Sequence, residues 1–514
     1  MLIKSVIIEN FRGYHTRQVI SFSKLTAFVG KNDVGKSTVL EALDIFFNDG
    51  KGAVKLESSD INARAKQEAN GGNVDIVIGV EFYDLPNQIV IDDNNSTTLA
   101  NEYLLNDRQN LTILKKYPNA GKAKVFIWAN HPAQEECKEL LYKKQADLRR
   151  MTANLDCDHN RNAEMRAAVR QQHANELNLT LQEIDASKED AKNIWEQLSH
   201  YMPVYSLFQV DRTNDDKNKE VQDPLKEAVK IIMGSDGIRQ KCQEIYDTVM
   251  QELTDVATRT LQKVNEMNPN LANTLHPYML SSENLSWSDV FKGVSITGDG
   301  DIPINKRGSG VKRLILINFF RAEAERRQQA VNAPGVIYAI EEPETSQHTD
   351  HQKILVNSLL TLSQARNTQV VITTHSSNVL KCLTFDNVRL IRFDANNEKV
   401  IENLASQQLP YRSLNEIAYV AFDEATEEYH DELYNFIEAQ QCSNDFRQGR
   451  ATMAYHKIDR HGNPQTQQIV LSEYIRHQIH HGDNNLNAHY SRADLSSSIA
   501  QMRQFIEGKL NPQP

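Results

Sequence analysis

An apolar run, Leu25 to Val29, stops at Gly30-Lys31-Asn32-Asp33-Val34-Gly35-Lys36-Ser37-Thr38, and apolar residues then recur at Val39, Leu40, Leu43, Phe46 and Phe47. A strand, a glycine-rich turn and an amphipathic helix in that order fit a P-loop, in which a parallel α/β sheet points backbone N–H groups at phosphate. Gly30 and Gly35 let the backbone bend, and Asn32 lies between them in the loop that cradles the phosphates. Lys36 is placed to reach the β- and γ-phosphates of ATP, and Ser37, followed by Thr38, to offer its hydroxyl to Mg²⁺.

Three later stretches follow in fixed order. Lys306-Arg307-Gly308-Ser309-Gly310 comes first; then Val336 to Ile340 ends in Glu341-Glu342-Pro343-Glu344; then Gln369 to Thr374 ends at His375. Carboxylates at the C-terminal end of a buried strand stand where α/β sheets present ligand-binding groups. We expect Glu341 to hold Mg²⁺, Glu342 to polarise the attacking water, and His375 to contact the γ-phosphate. Alone, an acidic pair reads as a solvated turn and a single histidine as structural; the P-loop upstream gives both a catalytic context.

With Ile7-Ile8-Glu9-Asn10-Phe11-Arg12-Gly13 ahead of the P-loop, and Thr373-Thr374-His375-Ser376 behind the acidic stretch, the chain resembles the SMC, RecF and OLD-type ATPases of the ABC class. The resemblance covers roughly residues 1 to 50 and 290 to 390. It implies an ABC-type P-loop head of the α/β class with an antiparallel β lobe, a short helical, coiled-coil-like insertion and a mainly helical C-terminal domain. It also implies a homodimer or higher oligomer, in which Ser309 and the N–H of Gly310 touch ATP held by the partner head. The signature departs from the family pattern, reading Arg307-Gly308-Ser309-Gly310-Val311 instead of a leucine-led Ser-Gly-Gly, and Glu341 stands where ABC transporters carry Asp.

A chain of 514 residues has room for several units, and 40% hydrophobic content is that of a globular protein. Net charge of −11 argues against a surface built for nucleic-acid binding, although Lys306, Arg307, Lys312 and Arg313 form a local basic cluster. Nucleic acid therefore stays open as a partner. Five dispersed cysteines without Cys-x-x-Cys spacing suggest a reducing cytosol, and no apolar run is long enough to cross a bilayer. We read a cytoplasmic protein with no membrane partner.

The expected layout is an N-terminal ATPase lobe over 1–130, a helical insertion over 131–270, a C-terminal ATPase lobe over 271–405 and a helical domain over 406–514. Within the insertion, the charged stretch from Pro132 to His200 predicts a hairpin of two modest helices. A strand then returns near Pro203 to Gln209, where Gln209 is a weak candidate metal-sensing glutamine, and a second helical stretch runs over about 222–266.

Helices are expected over Ser413–Asp423, Glu427–Gln440, Ser472–His481 and Leu495–Glu507, and no Toprim metal site is recognisable there. Arg476 and His481 have the spacing of the HEPN ribonuclease motif, with histidine as acid or base and arginine stabilising phosphorane-like charge. Arg450 and His456 also satisfy that spacing, and a helical interaction domain with surface histidines explains the same residues. Three readings follow. One is an anti-phage defence ATPase, resembling Septu-like and retron-associated systems, that controls a toxic nuclease in a partner chain or, as in anticodon nucleases, in itself. The others are a RecF-like DNA-repair ATPase and a non-catalytic ATP-binding scaffold.

Overall fold

The computed structural model describes residues 1–209 and 334–510, except 32–33, 93–94, 210, 346, 348, 395, 404–408, 412 and 459–462, together with short pieces between 237 and 303. The chain divides into one unit of Met1–Val210, Val331–Glu344 and His348–Pro514, and a second of Asp211–Ala330 with Thr345–Gln347. In the second unit the described strands are β11 (Thr297–Gly298) and β12 (Ile302–Pro303), which pair antiparallel. The signature residues Ser309 and Gly310, and most of the helical stretch 222–266, lie outside the described residues.

The first unit is built on two six-stranded sheets. One is antiparallel throughout, in the order β2 (Gln18–Ser21), β1 (Leu2–Glu9), β4 (Asp75–Tyr83), β7 (Leu111–Pro118), β8 (Lys124–Pro132) and β9 (Leu179–Asp185). Its alternation serves two faces: Ile76, Ile78, Val80 and Phe82 of β4 enter the main core, while Val77 packs with Ile7 and Leu114 on the other side. A small hairpin, β5 (Ile89–Asp92) with β6 (Asn95–Thr97), follows β4.

The other sheet runs β10 (Val204–Phe208), β13 (Val336–Glu341), β14 (Thr368–Thr374), β3 (Leu25–Val29), β15 (Val388–Phe393) and β16 (Lys399–Asn403). Its first five strands are parallel and β16 is an antiparallel edge. Strands β3, β13 and β14 are buried along their whole length, which is why they read as unbroken apolar runs. Gln369 ties the two sheets together: its side-chain oxygen accepts from the Ile3 N–H at 2.7 Å, and its amide donates to the Ile3 carbonyl at 2.9 Å.

The insertion departs from the expected helical hairpin. Helices Gln145–Met151 and Asn162–Gln172 are separated from Glu189–Tyr201 by β9, which extends the antiparallel sheet along β8 from Pro132↔Leu179 to Phe126↔Asp185. Leu-Thr-Leu-Gln-Glu-Ile-Asp carries helix formers, and the open edge of β8 overrides them. A buried charge cluster fixes these helices to the lobe. Arg166, fully buried, donates to Glu102 at 2.7 and 3.0 Å and to Asp190, and Arg170 reaches the same Glu102 at 2.8 Å.

The C-terminal segment is mainly helical, as expected, with helices Leu414–Phe422, Glu427–Ala439, Ser443–Arg447, Leu471–His480 and Arg492–Phe505. Tyr429, Leu433, Ile475, Ile499 and Met502 form its separate core. The sequence reading did not include the short helix Ser443–Arg447 or the hairpin of β17 (Thr452–Ile458) and β18 (Pro464–Val470). Among the described residues no helix is long and apolar enough to cross a membrane.

Candidate active site

Strand register brings the three predicted segments to one edge. Val29 pairs with Thr374 and Glu341 with Thr373, so the P-loop, the carboxylates and His375 leave adjacent parallel strands at their C-terminal ends. Gly30 has φ 152° and Gly35 φ 104°, backbone that L side chains rarely adopt. A Cβ at Gly30 would lie 2.5 Å from the Ile391 carbonyl oxygen and 2.9 Å from Val34 Cγ1, so the loop passes too close to β15 to carry one.

Helix α1 (Lys36–Asn48) starts at Gly35 with no side-chain cap and no acidic residue in its first turn. Its opening N–H groups are thus directed at an anion, with the helix dipole behind them. Ser37 and Thr38 lie half-buried in that turn, while Lys36 is buried, its ammonium donating to the carbonyls of Gly30 and Lys31 at 3.0 Å each. Those are loop carbonyls, so Lys36 is held at the cradle and a phosphate would compete for it. Asn32 lies outside the described residues.

Glu341 is buried as the last residue of β13. Glu342, one residue on, has φ 39°, and its N–H donates to the Thr373 carbonyl at 3.0 Å and to Thr373 Oγ1 at 3.1 Å. A left-handed glutamate costs about 1–3 kcal/mol, and these two bonds hold it there. Its carboxylate lies 3.1 Å from His375 Nδ1, with both side chains part-exposed. A buried and an open carboxylate therefore stand side by side, matching the chemistry of one Mg²⁺ ligand and one group that orients water.

Three further residues complete the site, none given a role by the sequence reading. Glu344 is buried; its Oε1 accepts from Thr374 Oγ1 at 2.6 Å and from the His375 N–H at 3.3 Å, fixing the turn that carries His375. Burial pushes the Glu344 carboxyl above its ordinary range, against those hydrogen bonds and the neighbouring His375. Tyr14 donates to the Gly35 carbonyl at 3.1 Å. Lys399 of β16 runs across Gly13 towards the P-loop, its ammonium 3.4 Å from where a Gly35 Cβ would stand. Glu344 could have been read only from knowing that β13 and β14 are neighbours, and Lys399 carries no motif.

Around this edge, Arg12 pairs with Asp60 at 2.8 Å and with Glu41 of α1, and Gln209 donates to the same Glu41 at 3.1 Å. Gln209 thus contacts α1 at this edge. The two residues of the C-terminal pair meet different neighbours. Arg476 turns to the Glu427–Ala439 helix, where it meets Glu438 at 3.0 Å and lies over the Tyr434 ring, whereas His481 stacks near His477 on another side. Arg450 bonds the Phe446 carbonyl and Gln501, and His456 bonds Thr466.

The chain is similar to several known proteins. Endonuclease GajA of Bacillus cereus (strain HuB5-5) is 20% identical over 471 residues, covering 78% of this chain and 62% of its own length. The chain therefore spans less than two thirds of that relative. Among solved structures, the SMC head domain from Thermotoga maritima aligns at 12% identity and TM-score 0.32 over 79% of this chain and all of its own. An SMC head bound to the C-winged helix domain of ScpA aligns at 15% identity and TM-score 0.39 over 79% of this chain and 98% of its own. The family model for the AAA ATPase domain matches residues 1–380, and with a phosphate cradle, adjacent carboxylates and a histidine on one sheet edge, the chain belongs to that ATPase family.

Proposed function

We propose that this chain is the ATP-hydrolysing head of an anti-phage defence system, closing in pairs around ATP and governing a toxic nuclease. The observation carrying this reading is the convergence of Lys36, Glu342 and His375 at the ends of three neighbouring parallel strands. In this reading the loop N–H groups and Lys36 bind and orient the triphosphate. Glu342 accepts a proton from the attacking water, steadied by His375, and Glu344 holds the histidine turn in place. Ser37 and Glu341 are the residues that would hold Mg²⁺, which when bound neutralises charge on the β- and γ-phosphates.

The relative named an endonuclease supports a link to nucleic-acid cleavage, by a nuclease in a partner chain or in the C-terminal domain of this chain. Ser309 and Gly310 would complete the ATP site of the second head. The test is size measurement of Glu342→Gln with ATP and Mg²⁺. A stable dimer or higher assembly is expected, dispersing when Lys36→Ala is added; a persistent monomer would refute head closure.

A further inference from the structure

A cavity of about 600 Å³ opens in the C-terminal segment between the β17–β18 hairpin and the end of the Leu471–His480 helix. That volume suits a small organic ligand. One wall is a stack of rings: Tyr455 lies on His477 with centroids 4.9 Å apart, and His477 on His481 at 6.2 Å. The stack is anchored, because Asn484 donates to the Tyr455 hydroxyl at 3.0 Å and the Tyr474 ring meets Tyr455 edge-on.

The polar groups facing the cavity are uncommitted. Neither imidazole, nor the Lys457 ammonium, nor the Asp483 carboxylate has a side-chain hydrogen bond or ion pair among the described residues. Burial lowers the His477 pKa, with His481, Lys457 and Arg476 adding to that and Glu473 opposing it. At neutral pH this ring therefore offers one donor and one acceptor. At the rim, Ile458 is 59% exposed and Leu486 49% exposed, two apolar side chains left uncovered beside the stack. His477 and His481 also stand at a helix C-terminus, whose carbonyl end favours cationic groups.

These features select for a ligand with a flat ring, an edge of donors and acceptors, and an anionic group. The ring slides between the aromatic wall and the apolar rim. The anion meets Lys457 and His481, and Asp483 accepts from sugar hydroxyls while opposing a second or third phosphate. We propose that this cavity is a nucleotide site, separate from the P-loop, that takes a nucleoside monophosphate, either free or as one unit of a single strand. No residue of the P-loop edge lines it.

The experiment uses the full chain carrying Lys36→Ala, in EDTA, so that the P-loop does not contribute. AMP and UMP are titrated by calorimetry, and a fluorescein-labelled heptauridylate by anisotropy. Saturable binding is expected, weakened at least tenfold by Lys457→Ala and by His481→Ala, and restored by Lys457→Arg, with melting temperatures unchanged. A heptamer binding more tightly than UMP assigns the site to a strand; equal affinity assigns it to the free nucleotide. No saturable binding, or binding indifferent to both alanine variants, overturns the proposal.

Discussion

Glu102 and Glu344 are both buried carboxylates, and their surroundings differ. Glu102 is enclosed by Arg166 and Arg170, with Thr97 donating a third kind of bond at 3.0 Å. Desolvation alone would raise its pKa, but the two guanidiniums overrule that and hold it at about 2. At the end of β13, Glu344 has a threonine hydroxyl and one N–H, and desolvation wins, moving its carboxyl upward. Matched charges make the first cluster a fastener between helix and sheet. The second cluster stands beside a half-exposed histidine and an anion cradle.

The largest effect that tests this contrast is Lys36→Ala. It should abolish ATP binding and lower turnover by about 10³-fold or more, read by equilibrium binding and phosphate release; wild-type affinity would break the assignment. Glu342→Gln comes next, with turnover falling about 10²–10⁴-fold while ATP binding persists. Loss of binding instead would mean that the residue holds substrate and does not activate water.

The fastener should behave in the opposite manner. Glu102→Ala leaves Arg166 buried beside one remaining carboxylate, at a cost of about 3–5 kcal/mol, visible in chemical denaturation. Protein that stays folded should still bind ATP. A drop in affinity without loss of stability would erase the distinction between the clusters.

Acidity separates them with opposite sign. Glu102, at about 2 against an ordinary 4.5, contributes stability that is complete above 4.5 and lost as pH falls towards 2. Glu344, raised above 4.5, contributes stability that is complete below 4.5 and lost as pH rises through its folded value. Melting temperature against pH should therefore lose part of its acid-side slope in Glu102→Gln and part of its slope above 4.5 in Glu344→Gln. Identical profiles for the two variants would contradict the electrostatic account. The smallest effect is expected at Lys31–Asp423, an exposed pair 3.2 Å apart between the P-loop and the C-terminal segment. Asp423→Asn should change stability by less than about 1 kcal/mol.

The elements legible in sequence are those whose signal is local. β3, β13 and β14 show as apolar runs because both their faces are covered, and Gly30, Gly35 and Lys36 show as a motif because one turn needs all three. β10 appears where a strand returning to the head was expected. β9 was not legible, since its Leu-Thr-Leu-Gln-Glu-Ile-Asp run becomes a strand only through pairing with β8. The Arg476 and His481 spacing was legible, but spacing along the chain does not say which neighbours each side chain meets.

By itself, then, the sequence determined the phosphate-binding turn, the strand-like apolar runs and the acidic and histidine segments that end them, all set by short-range backbone and burial requirements. Only the tertiary structure decided that β13, β14 and β3 lie side by side, that Glu344 braces His375 and that Lys399 reaches the P-loop. It also decided that Tyr455, His477, His481 and Lys457 share one cavity. Those juxtapositions join residues tens to hundreds of positions apart, and they arise from sheet register and core packing, which no local pattern encodes.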